Sequence, residues 1–216
     1  MKKNKTLGFL FLLMVSVNMI LFPYLPTHIP SHWNFNGQID QYSGRWFIFF
    51  PVALLVILKL IFESCRRFDP KKENYQRFQK SFEQLQIALF LFMFGMWIIT
   101  LVACFHSQLI NISAIMSIII SLILMYLGNI MPKIKSNYFI GIRTPWTIEH
   151  EEVWYHTHRF AGKLWFFGGG LSLFGIFIDS NIRFISMIVI FLIISFIPMV
   201  YSYYSYKHLE MHSHKE

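Results

Sequence analysis

The chain has 216 residues, of which 55% are hydrophobic, 19% aromatic and only 14% charged, and its mean hydropathy is +0.48. A transmembrane helix needs ~20 apolar residues, so this composition supplies about six spans and excludes an ordinary water-soluble domain, a disordered chain and a coiled coil. Long unbroken apolar runs also argue against a transmembrane β-barrel, whose strands alternate polar and apolar residues. The net charge of +8 must be interpreted from the positions of the charges.

Six apolar runs predict an all-α, polytopic integral-membrane protein with six transmembrane helices. The second and fifth runs are short for a bilayer of ~30 Å, so we expect those helices to extend into their flanks or to lie in a locally thinned bilayer. The runs are Leu7 to Phe22, Phe47 to Phe62, Leu85 to Phe105, Ile112 to Met131, Leu164 to Ile178 and Phe184 to Tyr206.

The basic residues predict the orientation in the membrane. Sixteen Lys and Arg lie in the amino terminus, the second loop, the fourth loop and the tail, whereas only Arg45 and Arg183 lie in the other loops. Basic loops stay in the cytoplasm, so both termini are predicted to be cytoplasmic. The charge is therefore an orientation signal, and we expect no direct binding of nucleic acid.

The predicted organisation has three parts. Residues 1–62 form a two-span module with a structured outer loop, residues 63–84 a basic cytoplasmic loop, and residues 85–216 a four-span module with a motif at 141–147. All Asp and Glu lie outside the spans, which argues against a proton-coupled carrier. Ser113, Ser117 and Ser121, together with glycines such as Gly169, predict close helix packing.

The outer loop is predicted to be a shaped surface that can receive a ligand. Its prolines favour extended backbone and Asn36-Gly37 favours a tight turn. His28, His32 and Asp40 form only a weak metal pattern, and a hydrogen-bonded loop is the preferred interpretation. The candidate ligand contacts are Pro26, Pro30, His32, Trp33, Gly37 and Asp40.

The fourth loop contains the most specific residues of the chain. Thr147 is predicted to cap a helix that runs from Ile148 into the fifth span. Two interpretations of Arg143 stay open, namely a bond to loop carbonyls or lipid phosphate, and a contact with an anion or a partner. The candidate partner-binding residues are Asn137, Gly141, Arg143, Thr144, Pro145, Trp146, Thr147, Trp154, Arg159 and Gly162.

This loop resembles the signature of the SdpI family of bacterial integral-membrane proteins, carried here by Gly141-Ile142-Arg143-Thr144-Pro145-Trp146-Thr147, by Trp154 and by Arg159-Phe160-Ala161-Gly162-Lys163. The outer loop is similar to the accompanying amino-terminal module of that family. The resemblance implies immunity against a secreted peptide toxin. It also implies that the membrane protein can capture a small cytoplasmic winged-helix repressor.

The preferred hypothesis is therefore a receptor and immunity protein of the bacterial cytoplasmic membrane, with lipid, a peptide toxin and a repressor as partners. One alternative is a small transporter or exporter of an amphipathic peptide or lipid. Another is a membrane-embedded enzyme that uses His156 or His158 with a metal. The sequence has no Walker loop, nucleophile elbow or dinucleotide fingerprint, so we expect neither an enzyme nor a cofactor.

Overall fold

The computed structural model describes residues 5–106 and 111–213. Helices dominate it, and a two-stranded antiparallel sheet is added near the amino terminus. The elements are α1 (Lys5–Leu21), β1 (His28–Trp33), β2 (Ile39–Gly44), α2 (Phe50–Phe68), α3 (Asn74–Arg77), α4 (Gln79–His106), α5 (Ile112–Ile130), α6 (Pro145–Glu149), α7 (Glu151–Leu173) and α8 (Ser180–Ser213).

Six helical stretches within the described residues are long and apolar enough to cross a membrane, which confirms the predicted number of spans. The second and fifth extend into their flanks as expected, because short 3₁₀ turns continue α2 and α7. The stretches are Leu7–Tyr24, Arg45–Phe68, Gln79–His106, Ile112–Lys133, Glu151–Phe177 and Ser180–Met211.

The chain forms two compact units. The first consists of the chain up to Ile61 together with Gln86–Met116, and the second of Phe62–Leu85 and the chain from Ser117 onward. Each unit is described by itself below.

A buried polar bridge lies in the apolar core of the first unit. Asn18 of α1 is fully buried; its Nδ2 donates to the carbonyl of Ile48 at 3.1 Å, and its Oδ1 accepts from Nε1 of Trp97 at 2.7 Å. Both ends of the amide are thus satisfied away from water, which offsets the cost of burying it. The bridge fixes α1 against α4 and against the 3₁₀ turn Arg45–Phe49.

The loop after α1 forms a hairpin rather than irregular backbone. β1 and β2 pair antiparallel, with Ile29 opposite Ser43 and a register shift after Pro30. At the turn, Gly37 has φ +78°, a left-handed conformation that glycine adopts at little cost. The predicted extended backbone and tight turn are therefore confirmed, and the sheet is an addition to the predicted all-α class.

Glycines bring α5 and α7 together in the second unit. A Cβ at Gly162 would lie 2.7 Å from the carbonyl oxygen of Gly128, and one at Gly169 would lie 2.7 Å from that of Ser121. Real Cβ atoms do not approach backbone so closely, so only glycine permits this separation. The structure confirms the predicted close packing at Gly169 and Ser121.

Candidate functional site

The site is built from the segment between α5 and α7, residues 131–150, which we call the connecting segment. A capping box starts α6: Thr144 Oγ1 accepts from the N–H of Thr147 at 3.3 Å, and the N–H of Thr144 donates to Oγ1 of Thr147 at 2.8 Å. Pro145 occupies the first helical position, where the missing N–H costs nothing. Both threonines are buried and therefore serve the local fold.

The predicted helix from Ile148 into the fifth span is wrong. Thr144, and not Thr147, is the cap; α6 ends at Glu149 and α7 begins at Glu151. His150 between them is extended, with φ −113° and ψ +113°, and its carbonyl accepts from the N–H of Trp154 at 3.0 Å. Two acidic residues in the first turn of α7 stabilise this separate start through the helix dipole.

His158 anchors the connecting segment to α7. It is fully buried, its Nε2 accepts from the N–H of Ile142 at 3.0 Å, and its Nδ1 lies 2.8 Å from the carbonyl of Trp154. Nε2 carries no proton because it accepts a hydrogen bond, and Nδ1 must carry one to donate to a carbonyl. The ring is therefore neutral, and both of its nitrogens form hydrogen bonds. The ring also stacks on Trp154 at 4.0 Å between centroids, and Trp154 Nε1 donates to the carbonyl of Ile134 at 2.8 Å.

Gly141 gives a prediction at this anchor. Its φ is +111°, and an added Cβ would collide with Nε2 of His158. We expect Gly141→Ala to lower stability by about 2–4 kcal/mol, from backbone strain and steric overlap. The measurement is the thermal unfolding midpoint in detergent. Gly44→Ala is the matched control, because no atom lies within 4 Å of its added Cβ; equal midpoints for the two variants would contradict this account.

Asn137 organises the connecting segment from inside. The side chain is fully buried, and its Oδ1 accepts from the N–H groups of Phe139 at 2.9 Å and Ile140 at 2.7 Å. Its Nδ2 donates to the carbonyls of Lys135 at 2.9 Å and Ile140 at 3.0 Å. The side-chain amide thus satisfies backbone groups that have no partner in a helix or sheet in this stretch.

A second set of residues, from the loop after α2, completes the candidate site, and none of them is among the residues that the sequence predicts for it. Asp69 is buried; its Oδ2 accepts from Tyr75 Oη at 2.9 Å and from the N–H of Tyr138 at 2.9 Å. Burial, together with the hydrogen bond to Asp69, raises the pKa of Tyr75, so the phenol stays a neutral donor. The carboxylate therefore fixes the connecting segment to the chain 69 residues earlier.

Lys71 adds a second link. Its Nζ donates to Oγ of Ser136 at 2.8 Å and to the carbonyl of Ile148 at 2.5 Å, and Nδ2 of Asn74 donates to the carbonyl of Ser136 at 2.8 Å. The signal available in the sequence was an aspartate followed by a proline at the end of a span. Nothing local indicated the partners, because they lie more than 60 residues away.

Trp146 joins the connecting segment to α8. Its Nε1 donates to Oγ of Ser202 at 2.5 Å, and its ring stacks on Tyr206 with 6.3 Å between centroids. Oγ of Ser202 also lies 3.2 Å from Oγ1 of the capping Thr144. The cap and the tryptophan therefore meet at one buried serine.

Arg143 and Arg159 are exposed. Arg143 Nη1 donates to the carbonyl of Tyr138 at 2.6 Å, which is the loop-carbonyl bond considered for it, and Arg159 Nη1 donates to Oη of Tyr155 at 2.8 Å. No carboxylate in the described ranges forms an ion pair with either arginine. Both cations therefore lie at the surface, whereas Gly162 is buried in helix packing.

The hairpin brings two of its predicted residues together. His32 Nδ1 lies 2.6 Å from Oδ1 of Asp40, and both side chains are exposed. Pro26 is exposed whereas Pro30 is buried, so the two prolines do not form one surface. Trp33 is half-buried, and its Nε1 is enclosed without a hydrogen-bond partner among the described residues.

The turn of the hairpin is fixed to α5. Oγ of Ser113 donates to the carbonyl of Phe35 at 3.0 Å, and a Cβ at Gly37 would lie 2.7 Å from the N–H nitrogen of Ser113. Gly37 is therefore a packing residue as well as a turn residue.

Comparison with known proteins shows which family the chain belongs to. The chain is 30% identical over 209 residues to the protein named immunity protein SdpI from Bacillus subtilis (strain 168), covering 97% of this chain and 98% of that protein. The chain belongs to the SdpI family. The SdpI/YfhL protein family model matches residues 133–202, and a domain of unknown function (DUF1648) matches residues 9–56. No solved structure matches.

The matched regions contain the residues that the sequence predicts for the two candidate sites. The SdpI/YfhL match begins in the connecting segment and ends at Ser202, the serine that receives Trp146. The other match contains the complete hairpin. Six apolar helices and membership of the SdpI family together make the chain a multi-pass protein of the cell membrane.

Proposed function

We propose that this protein is an immunity protein that protects a bacterium against a secreted peptide toxin. The observation that carries the proposal is the 30% identity, over nearly the whole of both chains, to a protein named for immunity. The chemistry of the site agrees with a non-enzymatic role. Asp69, His158 and Asn137 each hold backbone groups, and the Tyr75 hydroxyl donates to Asp69, so no free acid, base or nucleophile is offered by these residues.

The orientation is part of the proposal. The distribution of Lys and Arg favours cytoplasmic termini, which puts the hairpin outside the cell and the connecting segment inside. Exposed aromatic side chains on and beside the hairpin, such as Tyr42 and Trp46, suit contact with an amphipathic peptide at the membrane surface. The exposed His32 and Asp40 pair adds polar groups to the same hairpin.

A toxin-sensitive strain gives the test of immunity. Expression of the protein in cells that lack their own immunity protein should raise survival under toxin challenge. A transporter would also raise survival, but it would move the toxin across proteoliposomes that contain the purified protein. Survival without such flux supports immunity, whereas flux would make the exporter the better explanation.

On the inner side, we propose that Arg143 and Arg159 contact a cytoplasmic winged-helix repressor. Both cations are exposed, while the other motif residues Thr144, Thr147 and Trp154 are buried in the frame that presents them. Charged contacts at the rim of an interface mainly determine partner choice and association rate.

Arg143→Ala tests this contact. We expect at least a tenfold loss of recruitment of a winged-helix regulator encoded beside the gene, because a charge-assisted bond is lost. The measurement is the membrane fraction of a fluorescent regulator fusion. Arg77→Ala is the matched control, since Arg77 is also exposed and lies 3.9 Å from Glu151. Full recruitment by Arg143→Ala, with normal insertion, would refute the role of Arg143.

A further inference from the structure

Arg183 lies in the first turn of α8, outside both regions described above. The side chain is only 6% exposed, and its Nη2 donates to the carbonyl of Ile178 at 3.1 Å. The remaining nitrogens, Nε and Nη1, are buried and have no hydrogen-bond partner among the described residues. A buried guanidinium that uses one of its three nitrogens is an unusual arrangement, because each unsatisfied donor costs free energy.

The electrostatic surroundings of Arg183 favour the binding of an anion. The first turn of a helix carries a partial positive charge, which repels a cation placed there. The nearest acidic residue in the sequence, Asp179, caps the helix instead: its Oδ1 accepts from the N–H of Asn181 at 2.8 Å. No ion pair joins Asp179 and Arg183 within the described part of the chain. The positive charge therefore lacks the partner that a buried charge needs.

Three large apolar side chains that lie close to Arg183 in the sequence are exposed. Phe174 is 68% exposed, Phe177 80% and Ile182 60%. They flank the place where the polar stretch Asp179–Asn181 gives way to the apolar run of α8. Because a span starts there, we expect this point to lie near the lipid head groups. Gly175 makes room for the arginine, since a Cβ there would lie 3.2 Å from Cγ of Arg183.

From these observations we propose that Arg183 binds the phosphate oxyanion of a membrane phospholipid. The phosphate accepts from Nε and Nη1, and the acyl chains lie against the exposed phenylalanines. Nε and Nη1 are enclosed by the protein, so binding requires the groups that cover them to move aside. A free phosphate ion shares the oxyanion chemistry, but it makes no use of the apolar rim.

Native mass spectrometry of the full-length protein tests the site. Phosphatidylglycerol is compared with a phosphate-free diglucosyl lipid of the same acyl chains, and inorganic phosphate is added at millimolar concentration in a third arm. We expect phosphatidylglycerol to bind at least tenfold more tightly than the glycolipid, and inorganic phosphate not to displace it. Equal binding of the two lipids would overturn the proposal, and displacement by inorganic phosphate would assign the site to the free ion.

Variants locate the binding to Arg183. Arg183→Gln should weaken phosphatidylglycerol binding about tenfold. The matched control is Arg45→Gln, because Arg45 is also an arginine between a polar loop and a span, and its cation lies 5.7 Å from the centre of the Phe22 ring. Equal effects of the two variants would show a general charge effect and overturn the assignment.

Two further variants keep the proposal testable if Arg183→Gln does not fold. Gly175→Ala retains the charge but crowds the stem of the arginine, because the added Cβ would lie 3.2 Å from its Cγ, so it should also weaken phosphatidylglycerol binding. Asp179→Asn should leave the binding unchanged. Loss of phosphatidylglycerol binding in Asp179→Asn but not in Gly175→Ala would show that the aspartate, and not the arginine, determines lipid binding.

Discussion

Gly162→Ala should lower the thermal unfolding midpoint of the protein by about 2–12 °C. The added Cβ would lie 2.7 Å from the carbonyl oxygen of Gly128 and 2.8 Å from the ring of Pro132, so α7 must move away from α5. Overpacking of this kind costs about 1–3 kcal/mol, and in a chain of this length about 2–4 °C of midpoint is lost per kcal/mol. Intrinsic tryptophan fluorescence in detergent provides the measurement.

Gly170→Ala is the matched control for this prediction. It lies in the same helix, but no atom comes within 4 Å of its added Cβ. Alanine is the better helix former by about 0.5–1 kcal/mol, so the midpoint should stay the same or rise slightly. Similar losses in both variants would mean that helix flexibility, and not the contact with α5, is the reason for glycine at position 162.

Asn137→Leu should destabilise the connecting segment by about 3–5 kcal/mol. The amide accepts from two backbone N–H groups and donates to two carbonyls, and each buried group that loses its partner costs about 1–3 kcal/mol. We expect the peptide bonds near Phe139 to become sensitive to protease while the apolar helices stay inserted. Limited proteolysis in membranes, followed by mass spectrometry, measures this directly.

Two variants calibrate the Asn137 prediction. Asn129→Leu changes an exposed asparagine whose contact with Lys133 is 3.4 Å long, and it should have little effect. Asn137→Asp keeps the acceptor oxygen but loses both donors, so it should be intermediate. Protease resistance of Asn137→Leu equal to that of the parent would show that the amide does not organise the segment.

The sequence predicted the membrane architecture well because the spans are local. Each apolar run is a continuous stretch of the sequence. Comparing its length with the thickness of a bilayer is enough to predict a transmembrane helix, without knowledge of the rest of the chain. The packing of Gly169 on α5 and the turn at Gly37 were predictable for the same reason, since each depends on one residue type with a specific backbone or steric property.

The candidate site was predicted less completely, because its contacts span large sequence distances. Asp69 falls in a stretch that the sequence predicts to be a cytoplasmic loop, yet it is buried and its carboxylate accepts from the N–H of Tyr138. The break at His150 was missed, since Thr144 and Thr147 are equally good caps by residue type and only their mutual geometry identifies the true cap.

The motif residues also divide in a way that the sequence could not show. Thr144, Thr147, Trp154 and Gly162 are buried and hold the frame, whereas Arg143 is exposed. The sequence of a motif does not show which of its side chains are buried. Residues that hold the fold therefore cannot be distinguished from residues that contact a partner until the structure is known. The division limits the surface proposed for a partner to the exposed arginines.

The central proposal is immunity, and survival of toxin-sensitive cells at matched membrane levels of the protein tests it most directly. Cells that lack their own immunity protein are challenged with the toxin while they carry the parent chain, Arg143→Ala or the empty vector. We expect survival with the parent and with Arg143→Ala, and death with the vector. Killing of cells that contain the inserted parent chain at the same rate as vector cells would contradict the account.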